Sequence, residues 1–156
     1  MLVVLFLTLA VIVIYLIYCL KTGIPESLSS TYYKISKPRA FQLTMFIVGL
    51  GLLCVWVSFS EEFTQFLAFL SCAGVLFVGA APSFKQELEG RIHYSSAIIC
   101  CVCAVLWQII EGLWDVTLWF AWMGLMLSLT DRNKWCFWLE LSVIGSVYFN
   151  LLRLMI

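Results

Sequence analysis

Two titratable residues of this chain have the types and positions that chemistry inside an apolar protein would need. His93 is the only histidine among 156 residues, and histidine is the side chain best suited to proton transfer near neutral pH. Glu140 lies about five residues inside an apolar segment, where an acidic group is costly and by default indicates function. The simpler alternatives are a polar residue at a helix N-terminus for His93, and an ion pair with Lys134 or Arg132 for Glu140.

A second polar group lies in the longest polar stretch, residues 21–40, where Gly23, Pro25 and Pro38 predict a break between helices. About 20 residues exceed what a simple connection needs, and long loops are more often functional. We expect four side chains of this stretch to bind a ligand together with His93 and Glu140. They are Ser27, Ser29, Tyr32 and Tyr33.

A polar stripe follows near the end of the chain. Helical spacing places its four members within an arc of about 80°, roughly opposite Glu140. They are Ser142, Ser146, Asn150 and Arg153. A polar stripe on an apolar helix faces protein or a water-filled cavity, and hydrogen bonding between helices is the simpler explanation. We favour that explanation for the two serines, and leave it open for Asn150 and Arg153.

The elements that position these residues follow from composition. Hydrophobic residues make up 63% of the chain and charged residues 12%, and the mean hydropathy is +1.04. Soluble domains are nearer half apolar and one quarter charged. The sequence therefore predicts an all-α integral membrane protein, a single domain over residues 1–156 with six transmembrane helices. The expected spans are residues 2–20, 41–58, 64–81, 93–110, 113–129 and 135–156.

Basic residues predict how this bundle is oriented. Eight of the nine Lys and Arg residues fall in the first, third and fifth polar gaps, whereas the second and fourth gaps carry only acidic charges. Cytoplasmic loops are enriched in Lys and Arg. We therefore expect a multi-pass protein of the cell membrane, of the bacterial inner-membrane type, with both termini outside. His93, Glu140 and the Ser- and Tyr-rich stretch would then share one cytoplasmic-side pocket.

Smaller signals predict details of packing. Residues 83–92 alternate in charge and are expected to form a solvated turn. Tryptophans near predicted span ends are expected to anchor the helices at the two membrane interfaces. These are Trp56, Trp107, Trp114, Trp135 and Trp138.

Small residues at four-residue spacing predict that the third and fourth spans pack as an antiparallel pair. They are Ala68 and Cys72 on one span, and Ser96, Cys100 and Ala104 on the other.

Several classes of function are disfavoured by the sequence. The formal net charge is zero, so nothing suggests a nucleic-acid partner. Cys100, Cys101 and Cys103 resemble a metal cluster, but the only histidine is several residues away and ionised thiolates would be buried in lipid. We expect no metal site and no cofactor. Phosphate-binding glycine loops, zinc-protease motifs and nucleophile elbows are absent from the sequence.

One stretch resembles a known group of proteins. Ser27-Leu28-Ser29-Ser30-Thr31-Tyr32-Tyr33, followed by Arg39 and an apolar span, is similar to the Ser-Ile-Ser-x-Tyr-Tyr box of uncharacterised bacterial multispan membrane proteins. The segment Phe77–Pro82 and His93 also match that group's layout, so the resemblance covers about residues 23–100. Leu28 replaces the isoleucine, and one additional residue precedes the tyrosine pair. The resemblance implies a shared fold rather than an activity.

These observations lead to one functional hypothesis and two alternatives. We expect a small membrane protein that binds or transports a lipid or small polar ligand through the cytoplasmic-side pocket. The first alternative is an intramembrane lipid-modifying enzyme with His93 as general base and a serine or Glu140 as its partner. The second is a structural or assembly subunit of a membrane complex. Membrane lipid, a small-molecule ligand and a second copy of the chain are the expected partners.

Overall fold

A computed structural model describes residues 1–21, 23–84 and 86–156, without the side chains of residues 86 and 87. The described residues form helices and connecting turns, with no strand. The helices are α1 (Leu2–Leu20), α2 (Thr31–Lys34), α3 (Arg39–Ser58), α4 (Gln65–Ala80), α5 (Gln86–Ile110), α6 (Trp114–Thr130) and α7 (Trp135–Met155). Short 3-10 turns at Ala81–Ser83 and Arg132–Lys134 continue α4 and precede α7.

The chain is a helical membrane protein, as the composition predicts. Five segments are long and apolar enough to cross a membrane: Leu2–Leu20, Arg39–Ser58, Gln65–Ser83, Leu88–Ile110 and Arg132–Met155. Helices suit that environment because they satisfy their own backbone hydrogen bonds where no water is present. Helix α6 has 17 residues and falls just below this length.

Five long helices form a closed ring. Helices α1, α3, α4 and α5 pack against one another in chain order, and α7 closes the ring by contacting both α5 and α1. Helix α6 packs mainly on α7, outside the ring. A small apolar cavity of about 70 Å³ lies at the centre, and all five ring helices line it. Ile12, Met45, Val75, Cys100 and Ile144 contribute one residue from each helix.

The predicted pairing of α4 with α5 is confirmed, and these two helices make extensive contact. Gly74 lies where a Cβ atom would come within 2.7 Å of the Ser96 carbonyl oxygen and 2.8 Å of the Cys100 Cβ. The Ser71 hydroxyl also donates to the Cys100 carbonyl at 3.0 Å. Small residues therefore let the two backbones approach closely, as they do in many membrane helix pairs.

The bundle has two ends that differ in charge. We call the end formed by residues 21, 23–38, 81–84, 86–91 and 131–134 the basic rim, and the end formed by residues 59–64 and 111–115 the acidic rim. At the acidic rim, Glu111 accepts hydrogen bonds from the Thr64 hydroxyl and, at 2.9 Å, from the Glu61 N–H. This carboxylate ties the end of α5 to the turn that precedes α4.

Helix α5 corrects the prediction of a solvated turn before the fourth span. It begins at Gln86, seven residues before His93, and contains 25 residues. A helix of that length extends about 37 Å, whereas the hydrocarbon core is about 30 Å thick. Its first turns can therefore project beyond the hydrocarbon and expose their charges to water without leaving the helix. His93 consequently lies inside the helix, not at its N-terminus.

The tryptophans at the acidic rim also differ from the prediction. Trp56 is 2% exposed and Trp107 is fully buried, and their rings pack edge to face with centroids 5.1 Å apart. The Trp107 indole N–H donates to the Ser60 hydroxyl at 2.8 Å. The expectation that these two residues anchor the bundle in the lipid interface is therefore wrong, because both rings point into the protein. Trp114 and Trp135 are more than half exposed.

Candidate ligand-binding cavity

The segment between α1 and α3 folds back onto the bundle instead of extending into solvent. Leu28, Thr31 and Ile35 are at most 7% exposed, and their spacing of three and four residues gives the segment one buried face. Thr31 shares a buried hydrogen bond with the Tyr15 hydroxyl of α1 and donates to the Leu28 carbonyl at 2.5 Å. Buried polar atoms are thus satisfied within the segment and its neighbour. We call residues 26–35 the inserted segment.

A serine turn begins the inserted segment. The Ser30 N–H donates to the Ser27 hydroxyl at 3.0 Å, and the Ser30 hydroxyl donates back to the Ser27 carbonyl at 2.8 Å. The Ser27 and Ser29 hydroxyls are 3.1 Å apart. All three serines are partly exposed. Reciprocal bonds of this kind hold the hydroxyl groups in fixed positions.

Glu140 connects this turn to α7. Its Oε2 atom accepts the Leu28 N–H at 2.6 Å. The Glu26 carbonyl in turn accepts the Phe137 N–H of α7 at 3.1 Å. The inserted segment therefore supplies an acceptor for one of the N–H groups that the first turn of a helix leaves without a partner.

The alternative ion pair for Glu140 does not form among the described residues. Lys134 pairs with Asp131 at 2.8 Å, and neither Lys134 nor Arg132 reaches the Glu140 carboxylate. The Glu140 side chain is partly exposed and has a backbone amide rather than a cation as its partner.

These elements enclose a polar cavity of about 370 Å³ at the basic rim. Five of the six predicted ligand-binding residues line it: Ser27, Ser29, Tyr33, His93 and Glu140. The rest of its wall consists of Glu26, Ser30, Phe41, Pro82, Glu89, Gly90, Tyr94, Ala97 and Cys136. The structure thus brings together residues separated by more than 100 positions in the chain.

Tyr32 is the predicted residue that does not line this cavity. Its ring packs edge to face on Tyr33, with centroids 5.0 Å apart, and on Phe41 at 6.2 Å. Neighbouring residues on a helix point about 100° apart, so Tyr32 and Tyr33 on α2 cannot share a face. Tyr32 therefore supports the cavity wall from behind.

Tyr33 and Glu89 both line the cavity and both remain accessible to solvent, so we call the edge that they form the cavity mouth. The Tyr33 hydroxyl donates to Glu89 Oε1, which links the inserted segment to α5. The sequence prediction missed Glu89 because residues 83–92 were expected to form a turn. On a helix, Glu89 and His93 are four residues apart and share a face, which is the signal that would have identified it.

His93 lies beside this link with its imidazole partly exposed. The ring packs edge to face on Tyr94, with centroids 5.6 Å apart. Within the described part of the chain, no serine or carboxylate hydrogen-bonds to it. A general base must lie within about 3.2 Å of its partner, or one water away. The direct contact that the enzyme alternative requires is thus not formed.

The polar stripe on α7 lies away from this cavity. The Ser142 and Ser146 hydroxyls donate to carbonyls of their own helix, those of Leu139 and Val143, at 2.8 and 2.9 Å. Ser142 also abuts Gly124, where a Cβ atom would lie 2.7 Å from the serine hydroxyl. Ser142 therefore allows α6 and α7 to pack closely. Both serine hydroxyls bond within α7, so hydrogen bonding between helices is not their role.

Asn150 makes the connections between helices instead. Its Nδ2 atom donates to Gln108 Oε1 at 2.8 Å, and the Thr117 hydroxyl donates to the same oxygen at 3.0 Å. Gln108 and Asn150 are fully buried, and Thr117 is 7% exposed. This cluster joins α5, α6 and α7 near the acidic rim. Gln108 and Thr117 were not singled out from the sequence.

Arg153, the last member of the stripe, lies at the acidic rim. Its Nη1 atom contacts both carboxylate oxygens of Asp115, at 2.8 and 2.9 Å. Both side chains are about half exposed, so the pair contributes little to stability.

Comparisons with protein-family models, curated proteins and solved structures give no match to this chain. Across the described residues, no three His, Cys, Asp or Glu side chains are placed to hold one metal ion.

Proposed function

We propose that this protein binds a lipid headgroup or a small polar ligand in the cavity at the basic rim. One observation carries the proposal: a polar cavity of about 370 Å³ whose wall combines the inserted segment with α5 and α7. Ligand sites in proteins have volumes of about 300–1,000 Å³ and a few convergent polar groups. The Ser27 turn, His93 and Glu140 are those groups.

The proposal includes six transmembrane helices with the basic rim in the cytoplasm. Helix α5 ends at the acidic rim, and α7 begins at the basic rim beside Glu26. Helix α6 must therefore connect the two rims, and 17 residues extend about 26 Å. That length approaches the hydrocarbon thickness, which membranes can locally adjust. The distribution of Lys and Arg supports the cytoplasmic placement in a cell membrane.

The proposal includes transport as well as binding, because the acidic rim of the bundle is closed while the basic rim carries the polar cavity. Trp56 lines the central apolar cavity, and its ring packs on that of Trp107. Phe41, Ala97 and Glu140 line the polar cavity, and residues three or four positions deeper on the same helices line the apolar one. A polar cavity followed by an apolar cavity along one axis is compatible with a carrier that is open at its cytoplasmic end. It is equally compatible with a binding protein.

Filling the cavity tests the proposal. Ala97→Phe adds an aromatic ring at the wall, and Ala121→Phe adds the same ring on an exposed position of α6 as a control. We expect molecules that co-purify with the wild-type chain, identified by mass spectrometry of extracts, to be lost from Ala97→Phe and retained by Ala121→Phe. Equal retention by both variants would contradict binding in this cavity.

A further inference from the structure

We propose that the ligand of this cavity carries a positive charge, as an amine or quaternary ammonium group. This inference rests on the proposed function, since it specifies the chemistry of the same site. Three carboxylates line the cavity, those of Glu26, Glu89 and Glu140, and no Lys or Arg among the described lining residues accompanies them. The side chains of residues 85–87 lie outside the described part of the chain.

Glu140 is the strongest reason for this assignment. It projects from a membrane-spanning segment, and its Oε2 atom is bonded to the Leu28 N–H at 2.6 Å. The neighbouring Lys134 is engaged by Asp131 at 2.8 Å. A partly buried carboxylate loses part of its hydration, and an opposite charge beside it offsets that loss. Among the described residues no cation fulfils that role, so a cationic ligand would.

The other two carboxylates are only partly compensated. Glu26 pairs with Lys34 at 3.1 Å, and both side chains are at least 49% exposed. Glu89 accepts a hydrogen bond from the neutral Tyr33 hydroxyl through Oε1. Among the described residues, a lysine thus pairs with only one of the three carboxylates, and that lysine lies outside the cavity wall. A phosphate or carboxylate ligand would add a like charge to this site, and such juxtaposition costs several kcal/mol.

The remaining wall residues suit the same ligand. Tyr33, Tyr94 and Phe41 present aromatic rings, and the negative face of such a ring attracts ammonium groups. The hydroxyls of Ser27 and Ser29 can accept hydrogen bonds from a primary amine. A phosphate site would instead present N–H donors and arginine side chains.

Probes with the same butyl chain and different charges test whether the ligand of the cavity is cationic. The full chain is purified in dodecyl maltoside, which is uncharged and contains no amine, and is titrated calorimetrically with butylammonium, butanol and butyrate. We expect butylammonium to bind at least about tenfold more tightly than the other two, since hydrogen bonds to a charged group are stronger than those between neutral groups. Phosphatidylethanolamine or ethanolamine added as competitor then distinguishes a lipid amine from a free one.

Two substitutions identify the responsible carboxylate. Glu140→Gln keeps an oxygen that can accept the Leu28 N–H, so the inserted segment stays in place, and it should weaken butylammonium binding about tenfold. Glu62→Gln removes an exposed carboxylate at the acidic rim and should leave binding unchanged. Both variants are compared with wild type by thermal unfolding to show that the fold is retained.

The outcomes separate this inference from the proposed function. Equal affinity for the three probes, no binding of butylammonium, or an unchanged affinity in Glu140→Gln would overturn the cationic ligand. Loss of all probe binding in Ala97→Phe would still support a ligand cavity. Persistence of probe binding in Ala97→Phe would overturn both proposals.

Discussion

At the residue scale, the cavity depends on side chains that contact both the inserted segment and a ring helix. Tyr33 of the inserted segment donates to Glu89 of α5, and Glu140 of α7 accepts from Leu28 of the inserted segment. His93 lines the same cavity and has no hydrogen-bond partner among the described residues. A substitution at each of these residues therefore has a specific expected effect on the cavity.

Removing the Tyr33 hydroxyl is expected to accelerate ligand release. Tyr33→Phe loses the bond to Glu89 at the cavity mouth but keeps the ring, which is 69% exposed. The free energy of unfolding should fall by no more than about 1 kcal/mol, because the bond is exposed to solvent. Dissociation of a bound ligand, followed by stopped-flow fluorescence, measures the effect.

Tyr94→Phe provides the control for this substitution. Its ring is 70% exposed on the same cavity, and its hydroxyl has no hydrogen bond to a described residue. We expect release from Tyr94→Phe at the wild-type rate. Equal rates in both variants would show that the bond to Glu89 does not retain the ligand.

Two buried members of the polar stripe are expected to differ in their effect on stability. Asn150→Ala removes the amide that bonds Gln108 across two helices, and should lower the free energy of unfolding by about 1–2 kcal/mol. Ser146→Ala removes only a bond within α7, and should cost less than about 0.5 kcal/mol. Unfolding in detergent mixtures, followed by circular dichroism, compares the two. A larger loss for Ser146→Ala would contradict this assignment.

At the element scale, the inserted segment and α6 are held by different interactions. The inserted segment is anchored by buried hydrogen bonds, notably that between Thr31 and Tyr15. Helix α6 is held mainly by close contact of small residues with α7, since Trp119 and Trp122 on its other side are about 60% exposed. Substitutions that remove a polar group should therefore loosen the inserted segment. Substitutions that change side-chain size should instead loosen α6.

Thr31→Val is expected to loosen the inserted segment. Valine has nearly the same shape but loses the bonds to Tyr15 and to the Leu28 carbonyl. The amide hydrogens of Leu28 and Phe137 should then exchange at least about tenfold faster in hydrogen–deuterium exchange, because their protection requires a docked segment. Ser36→Ala, which removes an exposed bond to Tyr18, serves as the control. Unchanged exchange in Thr31→Val would refute this anchoring role.

Enlarging Gly124 is expected to separate α6 from α7. A Cβ atom at this position would lie 2.7 Å from Ser142 Oγ and 2.8 Å from its Cβ, and overpacking of this kind costs about 1–3 kcal/mol. Gly124→Ala should therefore destabilise the protein, and Ser142→Gly should restore most of the loss. A double-mutant cycle of unfolding free energies measures this coupling. Simple additivity of the two changes would exclude direct contact as the cause.

At the scale of the whole molecule, α7 closes the ring and thereby completes the cavity. The bond between Leu28 and Glu140 joins residues 112 positions apart. The ring opens to water through the polar wall at the basic rim and is closed by Trp56 and Trp107 at the acidic rim. The orientation in the membrane therefore decides from which side the cavity can be reached.

Cysteine labelling tests the proposed orientation. In a background without the seven native cysteines, Glu62→Cys at the acidic rim should react with a membrane-impermeant maleimide added outside intact cells. Ser36→Cys at the basic rim should react only after the membrane is permeabilised. Both positions are exposed, so access depends on the side of the membrane. The opposite pattern would reverse the orientation and place the cavity outside.

Much of this architecture follows from local sequence. Apolar length, Pro38 and the polar gaps predict helices that closely match α1, α3, α4, α6 and α7. The grouping of Ser27, Tyr33, His93 and Glu140 also followed from the sequence, because helices that cross in alternating directions bring alternate connections to the same end. These are consequences of chain length and hydrophobicity, which each segment carries by itself.

Only the tertiary structure decided which faces of the helices point inward. Trp56 and Trp107 are buried although the sequence suggested an interface, and Tyr32 lies behind the wall that Tyr33 lines. Ser142 packs against Gly124, whereas Asn150 bonds to other helices. The reason is that lipid and protein interior are equally apolar, so a membrane helix has no strong hydrophobic periodicity to distinguish its faces. Packing of the neighbouring helices supplies that information.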